Sequence, residues 1–178
     1  MKKLVFLALV LIVLCFSVAT VASDDDVTVL TASLRGLNEV PPINSDGTGT
    51  FRAVIHEDGS ITSITFTETF KNLSGSPLVS HIHFGQFRVA AGVMIFLCGG
   101  GGQPACPAGS SATFTGTITA ANVTGPAAQG IAAGDLASAL RAIREDAGYV
   151  NIHTVKFPSG EIRGQVKVHN GDEDRDDR

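Results

Sequence analysis

The chain has 178 residues, of which 44% are hydrophobic, and a formal net charge of −4 at pH 7. This length provides one domain of ordinary size, and the acidic balance, with no basic helix or basic cluster visible in the sequence, argues against nucleic acid as a partner. Beyond the N-terminal segment, no apolar run is long enough to cross a bilayer.

Residues 1–22 have the layout of a secretory signal peptide. A basic start, an apolar run over residues 4–18 and small residues up to Ala22 follow one another in the order that export requires. A membrane anchor is the alternative, but the run is short for one, and three aspartates follow it at 24–26. We therefore expect cleavage near residue 22 and release of a mature chain, with a net charge of about −6 and no stable membrane anchor, into the extracellular space or periplasm.

The mature chain is rich in Val, Ile, Thr and Phe segments separated by turn residues, which predicts β-strands. In one of these segments apolar residues such as Ile64 and Phe66 alternate with threonines such as Thr65 and Thr67, as in a sheet with one buried face. Turns are expected at 57–59 and 158–160. The predicted strands cover residues 27–34, 49–56, 60–70, 78–84, 92–97, 111–120, 149–157 and 161–168.

One segment, beginning at Leu136, has helical rather than strand periodicity. Leu136, Leu140 and Ile143 recur at helical spacing, Asp135 is suited to cap the N-terminus, and Gly148 is suited to end the helix in the left-handed conformation. The sequence thus predicts an all-β, antiparallel β-sandwich over residues 27–168 with one short crossover helix. The acidic segment 169–178 is too polar to pack and is predicted to be disordered.

Two cysteines of the mature chain, Cys98 and Cys106, lie in the glycine-rich segment LCGGGGQPACPAG. In an oxidising compartment they are expected to form a disulfide, and the flexible loop between them allows the closure. The alternative is half of a metal site, but no further histidine or cysteine is close to them in sequence.

Three of the five histidines lie on two predicted strands about seventy residues apart. His81 and His83 share one face of their strand, and Asn151 and His153 share one face of theirs, because residues two apart project to the same side. If the strands are neighbours, three imidazoles converge in an arrangement that suits Zn or Cu. The alternative is a polar lock, in which neutral histidines and Asn151 hydrogen-bond the strands together.

Glu39 and Arg163 also have two interpretations. An ion pair between them would tie the first segment of the domain to the last strand, on which Glu161 shares the face of Arg163. In a functional interpretation, Glu39 is a metal ligand or general base and Arg163 binds an anion. No Ser-His-Asp, Cys-His or nucleotide-binding motif is recognisable, which favours a non-enzymatic protein.

Four segments, LNEVPP (37–42), SHIHFG (80–85), YVNIHT (149–154) and FPSGEIRGQV (157–166), occur in an order and spacing that resemble the CHRD domain, named after chordin. The resemblance spans about residues 30–168 and implies an extracellular β-sandwich of immunoglobulin-like type. It does not imply growth-factor binding, since the cysteine-rich modules that carry this activity in chordin are absent from this sequence. HIHFG is also similar to the HxHxFG segment of copper–zinc superoxide dismutases, which are sandwiches too.

These observations support two functional hypotheses. The first is a secreted, non-enzymatic CHRD module that binds an extracellular protein or surface ligand or has a structural role. The second is a Cu- or Zn-binding protein, with superoxide-dismutase-like redox activity as one form of it, whose ligands are His81, His83 and His153.

Overall fold

The computed structural model describes residues 27–58 and 61–170. The predicted signal peptide lies outside the described residues, as do Gly59 in the predicted turn and residues 171–178 of the predicted tail. His169, the first residue assigned to that tail, is part of a strand, so the sheet extends one residue further than expected. No helix in the described part of the chain is long and apolar enough to span a membrane.

Within these residues the chain forms antiparallel strands, one α-helix and three short 3-10 helices. The strands and the helix are β1 (Val29–Arg35), β2 (Thr48–Asp58), β3 (Ile61–Lys71), β4 (Pro77–Phe84), β5 (Val93–Cys98), β6 (Ala112–Ile118), α1 (Leu136–Arg144), β7 (Gly148–Thr154), β8 (Ile162–Gln165) and β9 (Lys167–His169). The 3-10 helices cover Gly36–Asn38, Ala120–Asn122 and Ala127–Gln129.

The strands form one continuous sheet in the order β5-β4-β7-β8-β1-β2-β3-β6, with β9 also paired to β1. The sheet turns a corner at Val166: β8 pairs with β7 and meets β1 only at Arg163, whereas β9 pairs with β1. A bridge between Ile95 and Val123, which follows β6, brings the two ends close, so the sheet nearly closes. The prediction of an all-β antiparallel fold with one helix is confirmed, and the two layers are halves of one sheet.

The core lies between these two halves. Inward residues of β2 and β3, including Phe51 and Phe66 with ring centroids 6.1 Å apart, belong to the same buried cluster as Ile82 of β4 and Ile152 of β7. The helix α1 contributes its apolar stripe, of which Ile143 is fully buried. The alternation read in the sequence thus produces the buried face of each strand.

Glu68 is an ionisable side chain inside this core. It is fully buried on the inward face of β3, where its Oε1 accepts a hydrogen bond from Ser80 Oγ of β4 at 3.0 Å. Its Oε2 has no hydrogen-bond partner in the described part of the chain. Burial raises the pKa of the Glu68 carboxyl to about 8, against which the Ser80 hydrogen bond acts, so this side chain is mainly protonated at neutral pH.

The N-terminus of α1 agrees with the prediction and its C-terminus does not. Asp135 accepts a hydrogen bond from Ser138 N at 2.9 Å, which confirms the N-cap. The prediction that Gly148 ends the helix is wrong, because Asp146 adopts the left-handed conformation (φ 57°) there. Gly148 instead begins β7, where a Cβ would lie 2.9 Å from Ile143 Cγ1, so the helix and the strand approach each other too closely for a side chain.

Candidate metal centre

The outer face of the β4–β7–β8 half of the sheet carries the polar residues singled out in the sequence. The register places His81 opposite Asn151 and Asn151 opposite Arg163, so these three side chains lie in one row. His83 is opposite Tyr149 in the next row. The strands predicted to be neighbours are therefore paired, and the polar side of each faces away from the core.

The structure brings the three histidines together. The ring centroids of His81 and His83 are 4.6 Å apart, those of His81 and His153 are 4.7 Å apart, and those of His83 and His153 are 6.4 Å apart. One nitrogen from each ring can be chosen so that all three lie within 4.8 Å of one another. His81 and His83 are only 5% and 8% exposed, and His153 is half-buried.

Backbone carbonyls fix the protonation of two of these rings. His83 Nδ1 lies 2.8 Å from Ala91 O and His153 Nδ1 lies 2.8 Å from Pro158 O. A carbonyl oxygen only accepts, so each Nδ1 carries the hydrogen and each Nε2 presents a lone pair. Many metal-binding histidines have this tautomer, because their other ring nitrogen donates a hydrogen bond to a backbone carbonyl.

The nitrogens that remain have no protein partner. His83 Nε2, His153 Nε2 and His81 Nδ1 are buried and make no hydrogen bond within the described residues. Leaving a buried polar atom unsatisfied costs about 1–3 kcal/mol, and folded proteins rarely do so without a bound water or ion. Three such nitrogens in one cluster therefore indicate a place for a bound water or ion.

The electrostatics of the cluster keep these rings neutral. Burial, together with the smaller effects of the neighbouring His83 and His153, lowers the pKa of His81 to about 2. Burial likewise lowers the pKa of His83 to about 4 and lowers that of His153. Neutral imidazole is the form that binds a metal ion, so no proton has to be displaced at pH 7.

Aromatic rings form the walls of the cluster. The His83 ring stacks on Tyr149, with centroids 4.5 Å apart and planes 3° from parallel, and the Arg163 guanidinium lies 3.4 Å from the Tyr149 centroid. Phe96 of β5 approaches His81 edge-on at 5.1 Å. Phe96 was not singled out in the sequence, because only the β4–β5 pairing places it beside His81.

The expected Glu39–Arg163 ion pair is not formed, and the salt bridge found within the described residues joins Arg144 and Glu57. Glu39 instead accepts a hydrogen bond from Asn151 Nδ2. Arg163 donates to the carbonyls of Gln86 and Val89, at 3.1 and 3.0 Å, in the loop after β4. The Arg163 guanidinium does not pair with Glu39 because it donates to these two loop carbonyls and packs on the Tyr149 ring.

Glu39 is nevertheless an unusual carboxyl. It is buried, and burial raises its pKa to about 7, although the positive charge of Arg163 acts in the opposite direction. Gly160 allows this contact, since a Cβ there would lie 2.7 Å from Glu39 Oε1 and 2.5 Å from Asn151 Nδ2. The turn at 158–160 thus packs closely on the Asn151–Glu39 pair at Gly160. The carbonyl of Pro158 in the same turn accepts a hydrogen bond from the His153 ring.

Glu161 has a role that the sequence did not reveal. It was expected to share a strand face with Arg163, but it precedes β8 and its carboxylate accepts hydrogen bonds from Ser45 Oγ, Ser74 N, Ser74 Oγ and Thr154 Oγ1 at 2.6–2.8 Å. Burial alone would raise the pKa of Glu161, but these hydrogen bonds outweigh it and lower the pKa. A carboxylate with all these donors ties loops together and has no need of another ligand.

The cysteines form the predicted disulfide, with the Cα atoms of Cys98 and Cys106 4.9 Å apart. The loop they close packs on Phe96: a Cβ added at Gly100 or Gly101 would lie 2.6 Å from the Phe96 ring. The glycine-rich segment therefore supports, from outside, the aromatic wall beside His81.

Comparison with known protein families gives a match over most of the chain. The family model described as CHRD domain matches residues 30–166, which is most of the chain and includes every residue of the three-histidine cluster. Neither the comparison with curated proteins nor the comparison with solved structures gives a match.

Proposed function

The chain belongs to the CHRD-domain family, and from that premise we propose that it is an exported binding module whose ligand is a Zn or Cu ion held by His81, His83 and His153. The observation that carries this proposal is a cluster of three imidazole rings that can each place one nitrogen within 4.8 Å of the others, and in which each ring has a buried nitrogen without a hydrogen-bond partner within the described residues. Export is supported by the disulfide and by the signal-peptide layout of residues 1–22.

The unpartnered nitrogens favour metal binding over a polar lock. A lock stabilises strands through hydrogen bonds between its members, but one buried nitrogen of each ring makes none within the described residues. Two of the rings are instead oriented from behind by Ala91 O and Pro158 O. Each of these carbonyls orients a ring, and the second nitrogen of that ring has no hydrogen-bond partner within the described residues. This arrangement suits a metal site better than a hydrogen-bonded network.

The ligand set selects the class of ion. Three neutral imidazoles without a thiolate suit Zn and Cu, whereas Ca and Mg prefer oxygen ligands. Nitrogens that share a tetrahedral ion at 2.0–2.1 Å lie about 3.3–3.5 Å apart, so binding would draw the rings together by small side-chain rotations. The fourth position is left to water or an external ligand, and burial of His81 and His83 leaves little space for a substrate. We therefore assign binding and no reaction.

The test begins with elemental analysis of the mature protein recovered from its own compartment. We expect close to one equivalent of Zn or Cu, and after chelation one equivalent should rebind in competition with a chromophoric chelator. The variant His81→Ala/His83→Ala should lose this site. The matched control, His56→Ala/His169→Ala, removes two exposed histidines and should retain it.

Two results would overturn the proposal. One is a wild-type protein that holds no stoichiometric metal and takes up none of either ion. The other is equal loss of metal in the matched control, which would place the binding elsewhere. Circular dichroism of each variant shows whether the fold is retained, and His153→Ala provides a third test from the other strand if the double variant unfolds.

A further inference from the structure

The other half of the sheet presents a second chemically distinct surface. We call it the basic face: it is part of the outward side of β9, β1, β2, β3 and β6, and β8 separates these strands from the β4–β7 pair. Its basic and hydroxyl-bearing residues are Lys167, Thr31, Ser33, Arg35, Thr48, Thr50, Arg52, Thr65, Thr67, Thr69, Lys71, Thr113, Thr115 and Thr117. Val29, Val54 and His169 lie in the row of Thr65 and Thr117, and His56 and Asp58 continue β2 beyond that row.

The strand register arranges four cations on this face in two rows. Arg35 and Lys71 both pair with Thr48, so they lie two strands apart in one row. Lys167 and Arg52 both pair with Thr31 and lie two strands apart in the other row. From standard sheet spacings, the cations within a row are about 10 Å apart and the rows are about 13 Å apart.

The basic face is positive in a chain whose net charge is −4. All four cations are exposed, and no side-chain hydrogen bond or salt bridge within the described residues engages them. Between the two rows, none of the described residues that point outward from these strands is acidic. Separation of charge of this kind concentrates a positive potential that attracts anionic partners.

Small side chains between the cations leave shallow depressions in the face. One, of about 240 Å³, lies between Arg35 and Lys71 and is lined by hydroxyls that include those of Ser33, Thr50 and Thr69. A second, of about 320 Å³, adjoins Arg52. It is lined by hydroxyls of Thr65, Thr67, Thr115 and Thr117. Each depression combines a cation with several hydroxyl groups, which can bond both an anionic group and the hydroxyls of a sugar.

We propose that the basic face is a docking surface for an acidic polysaccharide, a chain of sugars bearing carboxylate or sulfate groups. An extended, repeating anion matches rows of cations at a regular spacing. Nucleic acid fits less well, because the large aromatic side chains of these strands, such as Phe51, Phe66 and Phe70, point into the core and are at most 3% exposed, so they offer bases almost no surface for stacking. The surface is independent of the three-histidine cluster.

Binding of the mature chain to polygalacturonate, dextran sulfate and neutral dextran tests this proposal by calorimetry at low ionic strength. We expect binding to at least one acidic polymer and none to neutral dextran. Arg35→Gln/Lys71→Gln and Arg52→Gln/Lys167→Gln should each weaken it about tenfold and flatten its salt dependence, because fewer counterions are released. The matched control Arg141→Gln/Lys156→Gln removes two exposed cations from outside the face and should bind as wild type.

Three results would overturn it. Absence of binding to both acidic polymers would remove the ligand class. Equal weakening in the control variant would show that net charge, not this face, determines binding. Duplex DNA of similar charge density bound as tightly as the better polysaccharide would reassign the surface to polyanions in general. The comparison of the two acidic polymers identifies whether carboxylate or sulfate is preferred.

Discussion

His81, His83 and His153 owe their properties to the environment that surrounds each ring. One nitrogen of each ring is buried without a hydrogen-bond partner within the described residues, which costs the folded chain free energy that a bound ion can recover. Burial also lowers the pKa values of the rings. The same residues were singled out from sequence by strand parity alone. What parity could not provide was the protonation of the rings, because Ala91 and Pro158 belong to loops whose path depends on the whole fold.

Metal affinity is predicted to vary less with pH than the affinity of an ordinary histidine site does. A proton competes for a ring only near or below its folded pKa, which is about 2 for His81 and about 4 for His83. Burial also lowers the pKa of His153, so competition titrations should show a smaller loss of affinity between pH 7 and pH 5 than a site of exposed histidines shows. A steep loss between pH 7 and pH 6 would show that the rings titrate like exposed histidines.

Metal binding should also raise the stability of the wild-type protein. An ion that binds only the folded state adds about 2.7 kcal/mol to the free energy of unfolding when its free concentration is a hundred times the dissociation constant. Urea unfolding with and without Zn measures this gain. The His81→Ala/His83→Ala variant should show none, and an equal gain in that variant would place the stabilising ion at another site.

Glu68 should make stability fall as the pH rises. Its folded pKa, about 8, exceeds the ordinary value of 4.5, so between these values the folded state holds a proton that the unfolded state has released. The contribution is therefore present below about pH 4.5 and is lost as the pH rises toward 8. Glu68→Gln cannot ionise and should lack this slope, so at pH 8 it should be more stable than wild type. Identical pH profiles of unfolding would contradict this account of Glu68.

At the scale of elements, most predicted strands and the helix exist in the structure close to their expected bounds, but the strand predicted at 161–168 is divided into β8 and β9, and the strand predicted at 149–157 ends at Thr154. Alternation of apolar and polar residues is a local signal, and the Phe66 and Thr67 faces were correct for that reason. Contacts across the fold were less accessible to prediction. Gly148 was taken for a helix end because its requirement, close packing against Ile143, is visible only when β7 lies beside α1.

The disulfide loop is the element whose removal has the clearest expected cost. Cys98 and Cys106 are separated by 8 positions, and closing so short a loop is worth roughly 2–3 kcal/mol in the chain-entropy model. Cys98→Ser/Cys106→Ser should lower the free energy of unfolding by about this amount. Wild type treated with a reductant should show the same decrease. Equal stability of the oxidised wild type and the variant would mean that the loop contributes nothing to the fold.

At the scale of the whole molecule, the continuous sheet separates two surfaces on its two halves. The half with β4 and β7 bears the three histidines, which contact the rings of Phe96 and Tyr149. The half with β1, β2 and β3 bears the basic face. The basic residues are scattered from Arg35 to Lys167 in sequence, so no basic cluster was visible there. The register of β1 with β2 and β9, and of β2 with β3, brings them together.

We propose that three imidazoles from two strands, β4 and β7, bind one metal ion. X-ray absorption spectroscopy of the protein loaded with one equivalent of Zn tests it most directly, because it counts the ligands and measures their distances. The account predicts imidazole nitrogens from three histidines at 2.0–2.1 Å, with one further light ligand. A first shell of oxygen ligands only, or a histidine count unchanged in His81→Ala/His83→Ala, would contradict it.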